Sequence, residues 1–326
     1  MKKVLVTGAA GFIGSHIVDS YIKLGFYVHA VDVLSLEEAM NLKSASLHSS
    51  FAYHQLDITR TSALDFIFDE GLDLVCHYAS VVGVEKYLSD TSDVIAVNVI
   101  GTQHVVSLVK KHKVDILFAS TSEVYGKNPK VPWGEDDNRV LGSTSLERWS
   151  YSSSKATAEH LLMAALKEYD CQWLIVRYFN VYGPRQNANF VVSANLKNYI
   201  ERKPLLCHND GNQTRCYSYI EDVIEATLAL INSGNSGIYN IGSEVETSVN
   251  ELLDLINKID DYQVGISKMD TSKALGDGFE DIPRRVPNIM KISESIDWKP
   301  NTSLTLGLKK THQWILDNPW WQQAAS

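Results

Sequence analysis

The first half of the chain alternates short apolar runs with segments whose apolar residues recur at helical spacing. Runs that read as buried strands lie at residues 3–7, 27–33, 51–58, 72–79, 114–121 and 172–179. Helical periodicity occupies residues 14–25, 92–112 and 151–168. Strands that are apolar throughout are typical of parallel sheets covered on both faces. The alternation therefore predicts an α/β fold with a doubly wound parallel sheet.

The regular alternation loosens after about residue 180. Polar loops appear there, together with short strands and with helices at about 190–201, 220–232, 248–259 and 304–317. We therefore predict two domains, a sheet domain over residues 1–180 and a smaller α/β lobe over residues 181–326. The helix at 220–232 is an expected return of the later chain to the first domain.

Composition and charge narrow the class of protein. Hydrophobic residues make up 44% and charged residues 21% of the 326 residues, which is ordinary for a globular protein. A net charge of −9 disfavours a nucleic-acid partner. Apolar runs are too short for a membrane span or a signal peptide, so we expect a cytoplasmic protein. No CxxC or HExxH spacing occurs, and we predict no metal site.

A glycine-rich turn joins the first strand to the first helix. It reads Gly8-Ala9-Ala10-Gly11-Phe12-Ile13-Gly14. Glycine permits a sharp turn and a close approach of the backbone to a pyrophosphate, and the helix N-terminus offers free N–H groups. The pattern predicts a dinucleotide site in a Rossmann-type fold.

Two carboxylates follow at the ends of the second and third strands. Asp32 lies about 20 residues after the glycine turn. A carboxylate there accepts hydrogen bonds from ribose hydroxyls and repels a 2′-phosphate, which favours NAD over NADP. Asp57 either reaches the adenine amine or caps the next helix.

Tyr151 and Lys155 are spaced i, i+4 on a predicted helix and therefore share one face. A nearby ammonium lowers the pKa of a tyrosine, which makes a general base for a sugar hydroxyl. The segment Ser120-Thr121-Ser122-Glu123 ends a strand upstream, where hydroxyls point into the cleft of such a sheet.

Together these motifs resemble the extended short-chain dehydrogenases/reductases, and more narrowly their nucleotide-sugar epimerase, dehydratase and decarboxylase group. The resemblance runs from residue 3 to about residue 310. The motifs that carry it are VTGAAGFIG, Asp32, Asp57, STSEVYG (120–126), YSSSK (151–155), RYFNVYGPR (177–185), RCYSYIEDV (215–223), RRVPNI (284–289) and WKP (298–300).

The resemblance implies a tightly held NAD that is reduced and reoxidised within one turnover, and a nucleotide-sugar substrate, with a UDP-sugar favoured. Tyr151 would take the proton of the sugar 4-hydroxyl, Lys155 would hold the nicotinamide ribose, and Thr121 would bond the 4-oxygen. A homodimer is expected from the resemblance as well. Residues implied to line the cofactor are Gly8, Gly11, Phe12, Ile13, Gly14, Asp32, Asp57, Ile58, Tyr78, Ala79, Ser80, Asn98, Ser120, Tyr151, Lys155 and Tyr178; those implied to hold the substrate are Thr121, Asn180, Arg185, Arg215 and Arg285.

The reaction that follows oxidation at C4 stays open between three routes. UDP-sugar 4-epimerisation is the first expectation, and the segment GVEKY (83–87) resembles epimerases. UDP-glucuronate decarboxylation is the alternative, because Glu123 suits acid–base work near C5, and because Arg215-Cys216-Tyr217 and Arg148-Trp149 resemble decarboxylases. Dehydration (4,6- or 5,6-) is the third route, and Ser122 argues against its dTDP-glucose branch.

A non-catalytic NAD-binding regulator is the alternative from a different class of protein. The complete set of Thr121, Tyr151 and Lys155 argues against it. The predicted catalytic residues are therefore Thr121, Ser122, Glu123, Tyr151 and Lys155.

Overall fold

The computed structural model describes residues 1–270 and 280–324. Its contacts divide the chain into two compact units. Unit 1 comprises Met1–Val124, Trp149–Arg177 and Thr227–Tyr239, and unit 2 comprises Tyr125–Arg148, Tyr178–Ala226 and Asn240–Ser326. The chain passes to unit 2 at Tyr178, near the expected boundary at residue 180, but this is not a single boundary, because residues 125–148 also belong to unit 2 and residues 227–239 return to unit 1. Unit 2 is nearly as long as unit 1 rather than clearly smaller.

Strands and helices alternate along the chain in the expected order. The strands are β1 (Lys3–Thr7), β2 (Tyr27–Asp32), β3 (Phe51–Gln55), β4 (Leu74–His77), β5 (Asp115–Thr121), β6 (Trp173–Tyr178), β7 (Val181–Tyr182), β8 (Leu205–His208), β9 (Thr214–Cys216), β10 (Ser218–Tyr219), β11 (Gly237–Ile241), β12 (Glu246–Ser248), β13 (Ile266–Met269) and β14 (Arg284–Arg285). The helices are α1 (Phe12–Lys23), α2 (Asp65–Asp69), α3 (Val84–Ser89), α4 (Thr91–Ile95), α5 (Thr102–His112), α6 (Ser150–Leu166), α7 (Val191–Ile200), α8 (Ile220–Asn232), α9 (Val249–Ile256), α10 (Met290–Ile296), α11 (Leu304–Asp317) and α12 (Pro319–Ala324).

The main sheet has seven strands in the order β11-β6-β5-β4-β1-β2-β3. The β1–β2, β1–β4, β2–β3 and β4–β5 pairs are parallel. The chain runs outward in one direction through β2 and β3 and then in the other through β4, so the strand order reverses beside β1. Ligands of open α/β sheets bind at the carboxyl ends of the strands where the order reverses. The predicted doubly wound, Rossmann-type sheet is confirmed, and its switch point adjoins the glycine-rich turn.

Apolar strand residues form the centre of unit 1. Leu5, Val75, Phe118 and Ile175 come from four neighbouring strands and are fully buried in one cluster. Helical residues of α5 and α6 pack in the same cluster, which explains the apolar faces of those two segments. This rigid centre positions the loops at the ends of the strands.

The predicted long helix at 92–112 has a wide turn in its middle. A π-helical segment, Ala96–Gly101, joins α4 to α5. By length and composition alone, the helical stretch Thr91–His112 is apolar enough to cross a membrane. Val94, Val105 and Val109 are nevertheless fully buried within unit 1, and a buried core helix satisfies the same criterion.

The described residues of unit 2 form three small sheets, ordered β12-β9-β14, β10-β7 and β13-β8. Aromatic side chains fill its interior. The rings of Tyr125 and Trp133 stack with centroids 5.1 Å apart, and Phe179 packs against both. The short sheets hold loop residues from distant parts of the chain, which local periodicity does not reveal.

Candidate active site

The turn between β1 and α1 can only be built with glycine at two of its positions. Gly8 has φ +67°, and a Cβ there would lie 2.5 Å from the backbone nitrogen of Ala79. A Cβ on Gly14 would overlap the carbonyl oxygen of Gly8. The bare backbone leaves a shallow cradle at the start of α1, where the N–H groups of the first turn lack intrahelical partners. These residues fit the pyrophosphate of a dinucleotide.

Asp32 is tied directly to this turn. Its Oδ2 accepts a hydrogen bond from the backbone N–H of Ala10 at 3.0 Å, and Oδ1 accepts one from Val33 at 2.9 Å. Burial raises the pKa of this carboxyl, and the backbone donors oppose that effect. The carboxylate is therefore fixed at the end of β2, where the ribose hydroxyls of a dinucleotide bind in this fold.

A cavity of about 290 Å³ lies beside the end of β2 within unit 1. Its lining residues are Val33, Gln55, Leu56, Asp57, Arg60 and Ala63. The Oδ1 of Asp57 accepts hydrogen bonds from the backbone N–H and the hydroxyl of Thr59. These contacts close a turn at Asp57 and do not cap the next helix, because α2 begins at Asp65 and its N-cap residue Leu64 makes no side-chain cap hydrogen bond. The apolar walls and the carboxylate fit an adenine ring.

His77 joins the carboxyl ends of β1 and β4. Its Nδ1 lies 2.6 Å from the hydroxyl oxygen of Thr7, and its Nε2 lies 3.0 Å from that of Thr102. Burial lowers the pKa of His77 to about 3, so the ring is neutral near pH 7. This bridge positions the backbone of Tyr78 and Ala79 beside the glycine turn, and the N–H of Tyr78 donates to the carbonyl of Thr7.

Asn98 sits in the π-helical segment and is fully buried. Its Oδ1 accepts a hydrogen bond from Ser80 at 2.7 Å, and its Nδ2 donates to the hydroxyl of Ser154 at 3.0 Å. Both polar groups of the amide are thus bonded to the protein. Asn98 thereby connects the loop after β4 to helix α6. The side chain of Ile58 packs against Gly101 in the same segment, where an added Cβ would lie 2.6 Å from it.

Helix α6 brings Tyr151 and Lys155 to one face, and both side chains are almost completely buried. The ammonium of Lys155 donates to the carbonyl oxygen of Ala119 at 2.8 Å and lies 4.7 Å from the ring centroid of Phe118. Burial lowers the pKa of Lys155 to about 7, although the charge of Glu159 opposes that shift. Lys155 of the predicted acid–base pair is therefore held against the end of β5.

The turn after β5 contacts the same helix. The hydroxyl of Ser152 donates to the carbonyl oxygen of Glu123 at 2.7 Å, and the backbone N–H of Glu123 donates to Thr121 at 3.2 Å. Ser122 is buried, and Ser120 at the end of the strand donates its hydroxyl to Glu159. The structure thus bonds helix α6, which carries Tyr151 and Lys155, to the strand end and turn at residues 119–123.

Tyr87 is a residue of this site that sequence reasoning did not assign. Its ring stacks on that of Tyr151 with centroids 4.6 Å apart and an interplanar angle of 10°. The residue lies in α3, outside any regular pattern, and only the GVEKY segment drew attention to it. Its stacking restricts the orientation of the Tyr151 phenol.

Unit 2 contains the predicted arginines. Arg215 on β9 and Arg285 on β14 are directly paired in a parallel register. The guanidinium of Arg215 donates to Asp281 at 2.8 Å, while the exposed Arg284 pairs with Glu246. Two neighbouring guanidinium groups can bind a diphosphate through several charge-assisted hydrogen bonds.

The predicted Tyr178, Asn180 and Arg185 lie at and after the end of β6 in the same unit. Asn180 and Arg185 adopt left-handed φ values of 37° and 72°. Among the described residues, the buried Nδ2 of Asn180 has no hydrogen-bond partner, and neither has the buried hydroxyl of Tyr217. Tyr217 was not assigned from sequence, although it lies two residues beyond Arg215. Such buried polar atoms are suited to a polar ligand.

The fold and the site of unit 1 define a dinucleotide-dependent enzyme of the Rossmann class. Within residues 1–270 and 280–324, no group of three metal-ligating side chains is found.

Comparison with known proteins identifies the family. The family model described as "NAD dependent epimerase/dehydratase family" matches residues 4–242. The chain is 36% identical to the UDP-N-acetyl-alpha-D-glucosaminuronate decarboxylase of Bacillus cytotoxicus over 321 residues, covering 96% of this chain and 98% of that protein. It is 30% identical to the UDP-glucuronate 4-epimerase of Thermodesulfobacterium geofontis, covering 98% and 97% respectively.

A solved structure shows the same fold over nearly the whole chain. The UDP-glucuronic acid 4-epimerase of Bacillus cereus, in complex with UDP-glucuronic acid and NAD, superposes with a TM-score of 0.86 at 29% identity, covering 97% of this chain and 99% of that one. The chain belongs to the NAD-dependent epimerase/dehydratase family. It is an enzyme with NAD as its cofactor, which confirms the class predicted from the sequence.

Proposed function

We propose that this enzyme acts on a UDP-hexuronic acid, oxidises it transiently at C4, and releases CO₂ from C6. The observation that supports the C4 chemistry is that helix α6, which carries Tyr151 and Lys155, is hydrogen-bonded to the end of β5 and to the turn after it, through Lys155 to Ala119 and through Ser152 to Glu123. Decarboxylation is favoured over the other outcomes by the 36% identity to a UDP-sugar decarboxylase. It is favoured also by the Arg215-Cys216-Tyr217 sequence and by the carboxylate at position 123.

Tyr151 is the proposed base that accepts the proton of the 4-hydroxyl. Thr121 hydrogen-bonds the 4-oxygen, and the ammonium of Lys155 stabilises the phenolate and the ribose of the cofactor. When bound, NAD supplies the acceptor for the hydride of C4. The buried surroundings of the pair exclude water, which strengthens the interaction between the two side chains.

The 4-ketone makes the C6 carboxylate of a hexuronate a β-keto acid. The C5–C6 bond then breaks and CO₂ leaves. The electron pair of that bond passes into an enolate across C4 and C5. We assign reprotonation of C5 to Glu123 acting as general acid. C4 then takes back the hydride that the bound cofactor had accepted, and Tyr151 returns the proton to the 4-oxygen. Arg215, Arg285, Arg185 and Asn180 are the proposed ligands of the UDP diphosphate, because unit 2 offers them as cationic and neutral donors.

UDP-sugar 4-epimerisation is the second candidate function. It is supported by the 4-epimerases among the relatives and by the fold of the UDP-glucuronic acid 4-epimerase. Epimerisation shares every step up to the ketone and differs only in the face to which hydride returns. The two candidates therefore both need Tyr151, Lys155 and Thr121, and they differ in the fate of C6 and in the need for Glu123 as an acid.

Incubation with UDP-glucuronate, UDP-N-acetylglucosaminuronate and UDP-glucose tests the proposal. Mass spectrometry distinguishes loss of CO₂ from loss of water, and NMR detects inversion at C4 when the mass stays constant. We expect loss of CO₂ from a uronate and none with the Tyr151→Phe variant. Inversion alone would replace decarboxylation by the second candidate, and an unchanged panel would reject the proposed substrate class.

We also propose a cytoplasmic homodimer. The dimer is supported by the exposed side chains of Ile95 and Ile100 on the helical stretch Thr91–His112. The cytoplasmic location is supported by the free thiols of the four cysteines. Light scattering coupled to gel filtration measures the oligomeric state.

A further inference from the structure

A buried ion pair lies beneath the proposed acid–base site in unit 1. Arg177 of β6 donates to both carboxylate oxygens of Glu159, through Nε at 3.0 Å and Nη2 at 2.7 Å. The hydroxyl of Ser120 donates to the same carboxylate at 2.5 Å. Both charged side chains are less than a tenth exposed. Burying a carboxylate costs free energy unless it is hydrogen-bonded or paired. The three donors to the Glu159 carboxylate offset that cost.

The position of Glu159 relates this pair to the catalytic helix. Glu159 follows Lys155 by one helical turn and Tyr151 by two, so all three share a face of α6. Lys155 bonds to Ala119, and Glu159 bonds to Ser120. Helix α6 is thereby joined to two consecutive residues at the end of β5, immediately before Thr121.

The charge of Glu159 also acts on Lys155. Burial lowers the pKa of Lys155 to about 7, and the negative charge of Glu159 opposes the effect. His77 faces Lys155 from β4, and its own pKa near 3 makes it neutral at pH 7. Arg177 is paired with the Glu159 carboxylate. Glu159 is therefore the group whose charge favours the ammonium form.

We propose that Glu159, held by Arg177, is a positioning residue that fixes the end of β5 through Ser120 and supplies the negative charge facing Lys155. This inference rests on the proposed C4 chemistry, because it assigns Lys155 a protonated form during turnover. Arg177 holds the Glu159 carboxylate through a bidentate pair of hydrogen bonds, which a lysine cannot reproduce.

The test replaces Glu159 by Gln, which keeps its shape and removes its charge. With UDP-glucuronate as probe, we expect kcat to fall by ~10-fold or more with KM within about twofold, because the loss acts on the chemical step. The alkaline limb of the kcat–pH profile should move to lower pH, by about one unit, since Lys155 loses its ammonium more easily. NAD released on denaturation should remain equal to that of the wild type.

Glu168→Gln is the matched control, because Glu168 lies exposed just beyond α6. It should leave kcat and the pH profile unchanged. If Glu159→Gln lowered kcat only in proportion to the fraction that is folded and NAD-bound, with the pH profile unmoved, Glu159 would be a purely structural residue and the inference would be wrong.

A measurement without substrate separates this inference from the proposed function. In ¹⁵N-lysine NMR, the Lys155 side-chain resonance, assigned by its loss in Lys155→Met, titrates with pH. It should titrate at lower pH in Glu159→Gln than in the wild type, even if no UDP-sugar is turned over. An identical titration would overturn the inference.

The double variant Glu159→Met with Arg177→Met tests the inference in a protein that does not leave one buried charge unpaired. Replacing both members of a buried ion pair by apolar residues of similar volume is often tolerated. We expect the folded double variant to bind NAD and to retain the kcat defect and the lowered Lys155 titration. Wild-type kcat in this variant would overturn the inference.

Discussion

The candidate-site residues of the two units differ in how their buried polar groups are bonded. In unit 1, Lys155, Asn98 and His77 are each hydrogen-bonded to another part of the same unit. In unit 2, the Nδ2 of Asn180 and the hydroxyl of Tyr217 are buried without such a bond among the described residues. A buried unsatisfied polar group costs about 1–3 kcal/mol, which a ligand can recover. The comparison indicates that unit 1 holds its acid–base groups ready, whereas unit 2 keeps donors for the substrate.

The largest expected effect concerns the acid–base pair of unit 1. Tyr151→Phe removes the phenolic oxygen and leaves the stacked ring. We expect kcat to fall by ~10³-fold or more while NAD content stays constant, because the base is lost and the binding groups are not. The half-exposed Tyr169 provides the control, and Tyr169→Phe should turn over normally. Full activity of Tyr151→Phe would remove the catalytic role given to unit 1.

The next effect concerns the arginines of unit 2. Arg215→Met removes a guanidinium from the β9–β14 pair, and we expect KM for the UDP-sugar to rise ~10- to 100-fold with little change in kcat. Arg284→Met is the matched control on the neighbouring position. Its exposed ion pair with Glu246 is expected to matter little. Equal KM changes in the two variants would contradict substrate binding by this face.

An effect of intermediate size concerns the neutral His77 of unit 1, which should make the free energy of unfolding depend on pH. The folded pKa of His77 near 3 lies below the unfolded value of 6.5, so its contribution is complete above pH 6.5 and is lost as the pH falls toward 3. Between pH 7 and pH 5 this amounts to roughly 2 kcal/mol of unfolding free energy.

Urea unfolding of the wild type and of His77→Gln at both pH values isolates this contribution from that of the other histidines. We expect the loss between pH 7 and pH 5 to be smaller in the variant. The same loss in both proteins would show that His77 does not carry the effect.

The smallest effect concerns a helix cap in unit 2, at the end of the strand β12 that pairs with β9. Ser248 and Glu251 form a reciprocal capping box at the start of α9. Ser248→Ala should lower the free energy of unfolding by about 1 kcal/mol and leave kcat and KM unchanged. A thermal melt with parallel kinetics measures both quantities, and Ser248→Thr should restore the stability. A raised KM in Ser248→Ala would mean that the ligand side of unit 2 depends on α9.

The elements of unit 1 could be predicted from the sequence because their signals are local. A strand run, a glycine turn and a helix follow one another within the first 25 residues, and the i, i+4 spacing places Tyr151 and Lys155 together. Glu159 carried the same signal, one turn further on, but a glutamate on a helix is usually exposed. Its burial depends on Arg177 and Ser120, and periodicity does not encode those contacts.

The arrangement of unit 2 could not be predicted in the same way. Arg215 and Arg285 are 70 residues apart and meet only because two very short strands pair. Strands of two or three residues carry too few positions to show an alternating pattern. The return of residues 227–239 to unit 1, where β11 extends the main sheet, was expected only for the helix and not for the strand that follows it.

The close approach of the Ala79 backbone to Gly8 limits which substitutions the enzyme tolerates at position 8. Every amino-acid replacement at that codon adds at least one carbon, and the neighbouring Ala79 backbone leaves no room for it. Gly25, Gly71 and Gly234 also have positive φ values, yet nothing surrounds the place of their missing Cβ. In a library of random variants, Gly8 should therefore be nearly invariant among survivors, while asparagine accumulates at the other three.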